Sequence, residues 1–330
     1  MQPRFLAAGG LRIDYIITAD QKAHLREMGG NAIFAGVGAR LWAADVGIVS
    51  RVGDNYPSAW LDMLSAAGLS VAGVHRVPGW HDMRTFYAYL DRETRDDTEP
   101  RRHFARIGLP LPKELVGYVH STPGQASRGL TPLCPRFADL PASYLGAAAA
   151  HLAPMPLASH RDLSQALSHR GVRVTLDPGE RYMVPQLRSD VFSLLQEIDV
   201  FLPSEQELIS MLGAGNLWQA AEEFASAGPD TIVIKAGAKG SLVLDRKTKG
   251  RWLVPAYPVD VVNATGAGDA YCGGFLVGYD ETGDPALAAC YGAVSASFVL
   301  QGFGALYATR FSRGEAEARF AQVKAGIAKA

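Results

Sequence analysis

An α/β fold, with a mostly parallel central sheet covered by helices on both faces, is what this sequence predicts. Two observations carry the prediction. Short β-like runs alternate with helical patterns along most of the chain, which is the order of a parallel sheet with helices packed on it. Two further segments have period-two patterning, break that alternation, and so belong to a smaller sheet apart from the main one.

The elements follow in chain order. "RFLAAGG" and "VGIVSRVG" read as strands, and between them "NAIFAGVGARLWAA" fits a helix with Ile33, Val37 and Leu41 on one face. "AAAAHLAPM", "GVRVTLDPG", "IDVFLPS", "DTIVIKAG" and "GSLVLD" continue the strands, with "VFSLLQEI" and "NLWQAAEEFASAG" among the helices. The two stray segments are Leu11–Asp20, with Ile13, Tyr15 and Ile17 on one side, and Arg84–Glu93, with Phe86, Ala88 and Leu90 on one side. Both read as strands half exposed to water. The mixed-charge run from Asp91 to Arg106 reads as a solvated hairpin or loop. No internal repeat or interdomain linker is visible, so residues 1–330 form one domain with a small β appendage.

Composition bounds the function. The 330 residues are 48% hydrophobic and 20% charged, the balance of a globular protein able to bury a sizeable core. A formal net charge of −1 gives no bulk pull toward nucleic acid or anionic membrane, so neither is expected as a partner. The three cysteines, Cys134, Cys272 and Cys290, are odd in number and lack C-x-x-C spacing, which favours a reducing cytosol. With no secretory pattern and no apolar run of membrane length, a cytoplasmic protein is expected. The eight histidines include no H-x-x-x-H pair that would suggest a metal site.

The stretch "VVNATGAGDAYCGGF", Val261 to Phe275, carries the chemistry. Extended residues precede it and a small, apolar helical pattern follows, so "ATGAGD" is a strand-to-helix turn. Gly266 and Gly268 let backbone amides approach a ligand without a Cβ in the way. Free amides at a helix N-terminus, with the helix dipole, make an anion site. The same dipole favours an ionised Asp269, the state of a general base. A phosphate cradle and a base within five residues suit transfer of a phosphoryl group to a hydroxyl. A third glycine is missing for the dinucleotide fingerprint, since Tyr271 stands there, and the P-loop pattern is absent.

"VDVVNATGAGDAYCGGF" resembles the C-terminal D-T-x-G-A-G-D signature of the ribokinase/PfkB family of carbohydrate and nucleoside kinases. "MGGNAIFAGVGARLW" is similar to that family's Gly-Gly motif, "FLPSEQEL" to its N-x-x-E motif, and "IKAGAKGS" to its G-x-x-G nucleotide loop. The resemblance spans roughly residues 5 to 305. It implies a ribokinase-like three-layer sandwich with a β-sheet lid, whose strands come from about 11–20 and 84–107. It also implies ATP and Mg²⁺ as cofactors, a small-molecule acceptor, and a lid through which a homodimer could form.

The family roles carry over residue by residue. Asp269 would take the acceptor's proton, and the amides of Gly266, Ala267 and Gly268 would hold the transferring charge. Glu207 would order magnesium and its waters. Gly237 and Gly240, with Lys235 and Lys239, would pass under the ATP phosphates. Asp14, Gly29, Gly30 and Asn31 would meet the acceptor's hydroxyls. "DPGER" is similar to a D-x-N-x-R stretch of sugar-acid kinases, which would bring Arg181 to an acidic group of the acceptor or to a phosphate.

Plainer readings stand beside these. Ser204-x-x-Glu207 is also a capping box, Asn31 is also a helix cap, and Lys235 and Lys239 are also solvent-facing turn residues. Asp14 also reads as a surface residue and Arg181 as a structural one. The chain departs from the family pattern at Asn263, where Asp is usual, at Ala264, and at Ser204, where Asn is usual. These departures bear on the acceptor and on a monovalent-cation site, and leave the base and anion hole intact. The expected activity is ATP-dependent phosphorylation of a sugar or sugar acid. A nucleoside is the alternative, since Tyr15, Phe86, Tyr87 and Tyr89 suit stacking on a base; a ligand-binding scaffold on the same fold is the other.

Overall fold

Strand alternation sorts the core into two layers, one on each side of a ten-stranded sheet. In this computed structural model, which describes residues 2–91, 94–120 and 129–330, the main sheet is built from ten strands. These are β1 (Phe5–Ala8), β4 (Val46–Gly53), β5 (Leu69–Val77), β8 (Ala149–Leu152), β9 (Arg173–Leu176), β10 (Val200–Phe201), β11 (Thr231–Lys235), β12 (Ser241–Asp245), β13 (Gly250–Val254) and β14 (Ala328–Lys329). Their order is β14-β13-β12-β11-β10-β9-β8-β1-β4-β5. The pairs from β5 through to β11 are parallel, and β12, β13 and β14 join antiparallel at one edge. Both edges go beyond the sequence reading, which did not include β5, β13 or β14. The extended run "VPAYPVDVV" contributes strand only as far as Val254.

The helices are α1 (Asn31–Arg40), α2 (Ser58–Ala66), α3 (Pro100–Arg106), α4 (Leu157–Ser168), α5 (Arg188–Leu195), α6 (Glu205–Leu212), α7 (Leu217–Ser226), α8 (Ala267–Thr282), α9 (Pro285–Val299) and α10 (Arg313–Ala325). Phe5 and Ala7 of β1 join the layer formed with α1, α8 and α9, whereas Leu6 and Ala8 join the layer formed with α4, α5 and α7. Apolar burial on both faces is the dominant favourable contribution to such a fold. Helix α1 is buried from Ala32 through Ala39, not on one face only. The reason is a second neighbour. A Cβ on Gly38 would lie 2.2 Å from the Ala270 carbonyl oxygen, and one on Gly273 1.8 Å from that of Ala35, so α1 and α8 cross in backbone contact. That crossing seats α8 and the turn before it.

The smaller sheet has the order β3-β2-β6-β7, from β2 (Arg12–Ile17), β3 (Ala23–Gly29), β6 (Arg84–Tyr89) and β7 (Arg95–Asp96). Residues 92–93, inside the expected second lid strand, lie outside the described residues. The period-two pattern is real, but the strands are not half exposed to bulk water. Tyr15 and Phe86, register partners across β2 and β6, point into apolar packing under α3, where the Phe86 and Phe104 ring centroids are 6.1 Å apart. The alternate residues Arg12, Asp14, Thr85 and Tyr87 line a cavity instead. The charge run from Asp91 to Arg106 is likewise not simply solvated. It supplies β7 and α3, and His103 and Phe104 are buried.

Candidate active site

The cavity, of about 410 Å³, lies between the lid sheet and the end of the main sheet from which α8 begins. Ligands in open α/β sheets bind at the carboxyl ends of the strands, and the turn before α8 is at that end. Gly266 has φ +80°, and a Cβ on it would lie 2.1 Å from the Phe34 ring, so conformation and packing both demand glycine. A Cβ on Gly268 would meet nothing nearer than Lys235 Nζ at 3.8 Å, which leaves its approach side open. The Ala267 amide turns back to the Ala264 carbonyl (3.3 Å). Among the described residues no acceptor meets the amides of Gly268 and Asp269. Of the three amides the sequence reading named, that of Ala267 is used within the turn, while those of Gly266 and Gly268 have no acceptor among the described residues.

Asp269, in the first turn of α8, lines the cavity. Its carboxyl does not follow the helix dipole alone. Burial, reinforced by the charge of Asp177, pushes it up to about 7, against the opposing pull of Lys235 and Arg95. An acid poised there is matched to proton transfer at neutral pH.

Lys235 is where the structure departs most from the sequence reading. It ends β11, nearly buried, and its ammonium is paired with Asp177 at the end of β9. Nζ also lies 3.6 Å from Cys272 Sγ, one turn beyond Asp269 on α8. Burial alone would lower its pKa, but the Asp177 charge more than reverses this and holds the ammonium above its ordinary value. It is a buried cation beneath the α8 turn, already committed to a carboxylate. Asp177 opens "DPGER", a stretch that by itself does not point to this pairing; its contact with Lys235 joins strands that only the β9-β10-β11 order brings together.

Gly237, Lys239 and Gly240 form the turn from β11 to β12, outside the cavity lining. Gly237 and Gly240 have φ +59° and +89°, and Lys239 reaches Glu205 (3.5 Å) at the surface. Glu207 forms the capping box that the sequence suggests, and it also faces the cavity. Its Oε2 accepts from Ser204 N (2.7 Å) and Oγ (2.8 Å) in a capping box, while the buried side chain also lines the cavity. Burial and then Asp177 push its carboxyl up to about 7.

On the lid side Asp14 is buried, and burial pushes its carboxyl up to about 6 against the pull of Thr85, Arg12 and Arg95. Gly29 serves Asp14 and does not line the cavity, since a Cβ there would lie 1.8 Å from Asp14 Oδ2. Gly30, with φ +110°, caps α1 and lines the cavity. Asn31 lines it too, with Oδ1 accepting from Gly10 N (2.7 Å) and Nδ2 donating to the Pro154 carbonyl. Arg181 lies exposed and outside the lining, and its neighbour Glu180 takes that place. The lining residue the sequence reading missed on the lid is Arg95, hidden inside a charge run; Arg12 was missed beside Asp14. Of the four lid aromatics only Tyr87 lines the cavity, because alternation turns Tyr15 and Phe86 into the core and Tyr89 is buried.

Magnesium can be tested against these donors. Among the described residues no cluster of three or more His, Cys, Asp or Glu side chains is placed to hold a metal. Mg²⁺ usually keeps several waters and takes substrate phosphates with one or two carboxylates. Glu207, a buried carboxylate whose described hydrogen bonds all fall on Oε2, fits an ion that arrives with a nucleotide.

Comparison with known proteins places the chain in a family. The family model for pfkB family carbohydrate kinases matches residues 133–310. The chain is 28% identical over 273 residues to the cytidine kinase of Thermococcus kodakarensis, covering 83% of this chain and 87% of that protein. It is 27% identical over 284 residues to the ATP-dependent ribose-1-phosphate kinase of Halopiger xanaduensis, covering 83% and 82%. Among solved structures, an E. coli protein described as ribokinase II, in complex with ATP and Mg²⁺, superposes with a TM-score of 0.71 at 18% identity over 97% of this chain and 99% of that one. The ribokinase-type α/β fold with its smaller lid sheet defines the class. The chain belongs to the pfkB carbohydrate kinase family. No described helix is long and apolar enough to cross a membrane.

Proposed function

We propose that this protein transfers the γ-phosphoryl group of ATP to a hydroxyl of a small polyol-like acceptor, a sugar or sugar acid. The observation that carries the reading is Asp269, half-buried in the first turn of α8 and lining the same cavity as the lid carboxylate Asp14. Asp14 and Asn31 orient the acceptor's hydroxyls. Asp269 takes the proton of the hydroxyl that attacks; the new O–P bond forms as the bond from the γ-phosphorus to the β-bridging oxygen breaks, and ADP leaves. The amides of Gly268 and Asp269 face the charge that develops on the transferring group. Glu207 would hold magnesium through its waters, and the ion would neutralise phosphate charge. Gly237, Lys239 and Gly240 remain the place for the nucleotide's outer phosphates. Gly266 shapes the turn, and Lys235 acts from beneath it. Arg181 is not included.

A nucleoside acceptor is the second reading, supported by the long match to the cytidine kinase and by Tyr87 in the lining. A homodimer through the lid is not included, because the lid's apolar face is covered by the chain's own α3. An ADP-release assay over sugars, sugar acids, sugar phosphates and nucleosides tests the reading. Acceptor-dependent ADP formation is expected, and its absence across the panel would remove the kinase assignment in favour of a binding role.

A further inference from the structure

Among the described residues, two guanidinium groups in the cavity have no carboxylate within ion-pair distance. Arg12 opens β2 and Arg95 sits on β7 opposite Tyr89, so both belong to the lid sheet. Both line the cavity, and neither forms an ion pair among the described residues. Their neighbours differ in this respect. Asp82 is bound to Arg84 (2.6 Å) and Asp97 to His120 (2.7 Å), which leaves those carboxylates already answered. Arg95 lies 4.4 Å over the Tyr87 ring, a contact that fixes the guanidinium plane, and it is hydrogen-bonded to the neutral Tyr89 hydroxyl, so no carboxylate is paired with its N–H fork among the described residues. Arg12 rests against Gly10, where a Cβ would come 3.3 Å from its Nε.

A polyol needs few cations. Asp14 accepts from hydroxyls, and a neutral sugar or nucleoside would leave two guanidinium forks facing it without an acceptor of matching charge. Carboxylate and phosphate oxygens match that fork in geometry and charge. We infer that the acceptor carries an anionic group, a carboxylate or phosphate, bound by Arg12 and Arg95 at the lid while a hydroxyl of the same molecule meets Asp269. This deepens and rests on the kinase reading above, and it moves acid recognition from Arg181 to the lid.

Matched acceptor pairs test it. ADP release is compared for ribose against ribose 5-phosphate and ribose 1-phosphate, for glucose against gluconate, and for cytidine. The anionic member of a pair is expected to have the higher kcat/KM by at least about tenfold, the scale of one charge-assisted hydrogen bond. The phosphate and carboxylate arms distinguish the two sources of charge. Arg12→Ala and Arg95→Ala should each raise KM for the anionic acceptor and erase most of that preference. Equal or better use of the neutral member, or arginine variants that weaken both members alike, would overturn the inference without touching the kinase reading. If no acceptor turns over, the kinase reading fails separately, and calorimetry then decides. With the non-hydrolysable nucleotide AMP-PNP and Mg²⁺ saturating, ribose 5-phosphate or gluconate should bind the wild type and lose affinity in Arg12→Ala. Binding of neither, or binding unchanged in the variant, overturns it.

Discussion

The phenolic oxygen of Tyr89 lies 2.7 Å from Thr265 Oγ1, a hydrogen bond between the last residue of lid strand β6 and the turn that leads into α8. Both side chains are buried, so the lid and the turn before α8 meet through a polar contact shielded from water. Tyr89→Phe keeps the ring and removes only the hydroxyl. It should cost about 1 kcal/mol of stability, the net value of one hydrogen bond, plus the cost of an unpaired Thr265 hydroxyl. Amide exchange should quicken at 84–89 and near Thr265 together. Faster exchange in only one of the two segments would show that the contact does not couple them.

Asp269→Asn should lower kcat by roughly 10²-fold or more with little change in ATP affinity, the range of general-base contributions. The pH profile gives the sign. A base must be ionised, and burial holds this carboxyl up at about 7, so the rate should fall as pH drops below neutrality. An Asp at its ordinary value would keep the rate level down to about pH 5. A profile level to pH 5 would mean that bound substrate, or a different group, sets the titration.

Lys235→Met leaves Asp177 buried without its cation. Breaking a buried pair from one side costs about 3–5 kcal/mol, whereas removing both partners is often near neutral. The variant should therefore be strongly destabilised, and Lys235→Met with Asp177→Leu should recover much of the loss in chemical denaturation. Any active Lys235→Met protein should show its acidic rate limb at higher pH, because the cation that favours ionised Asp269 is gone. A Lys235 that simply gripped ATP would raise KM for ATP and leave stability unchanged.

Much of this site is legible in the sequence where the signal is local. The turn at 266–269 announces itself by glycines, a carboxylate and the apolar helix behind them, all within a few residues. The lid strands show their period, and the register of β2 with β6 brings Asp14 beside Thr85 as alternation requires. What was not legible depends on distant contacts. Lys235 reads as a turn lysine until β9 and β11 are set one strand apart, with Asp177 across from it. Gly29 reads as room for a ligand, although the room is taken by Asp14. Arg95 was obscured by the charges around it, since a cavity-facing strand residue looks solvated when its lining is polar. The ionisation of Asp269 was misjudged for a related reason: a helix dipole is visible in sequence, and the burial that outweighs it is not.

Asn263 sets the last expectation. In many members of the family the Asp at this position belongs to a loop that binds potassium beside the anion hole. Here Asn263 is buried, its Oδ1 accepts from the Thr265 backbone N–H (3.1 Å), and its backbone N–H donates to the Leu300 carbonyl (3.2 Å). The side-chain oxygen is thus already used to hold the turn, and a neutral amide lacks the charge that offsets a cation's desolvation. Turnover should therefore be nearly independent of potassium, changing by less than about twofold when Na⁺ or Tris replaces K⁺ at constant ionic strength, a barrier difference under roughly 0.4 kcal/mol. Asn263→Asp can still accept from Thr265 with one oxygen and offers the second, charged, to an ion. That variant should gain a potassium response if the neighbouring backbone carbonyls reach the same point. A strong potassium requirement in the unmutated enzyme would show that those carbonyls suffice by themselves, and that the hydrogen bond from Thr265 does not take Asn263 out of cation binding.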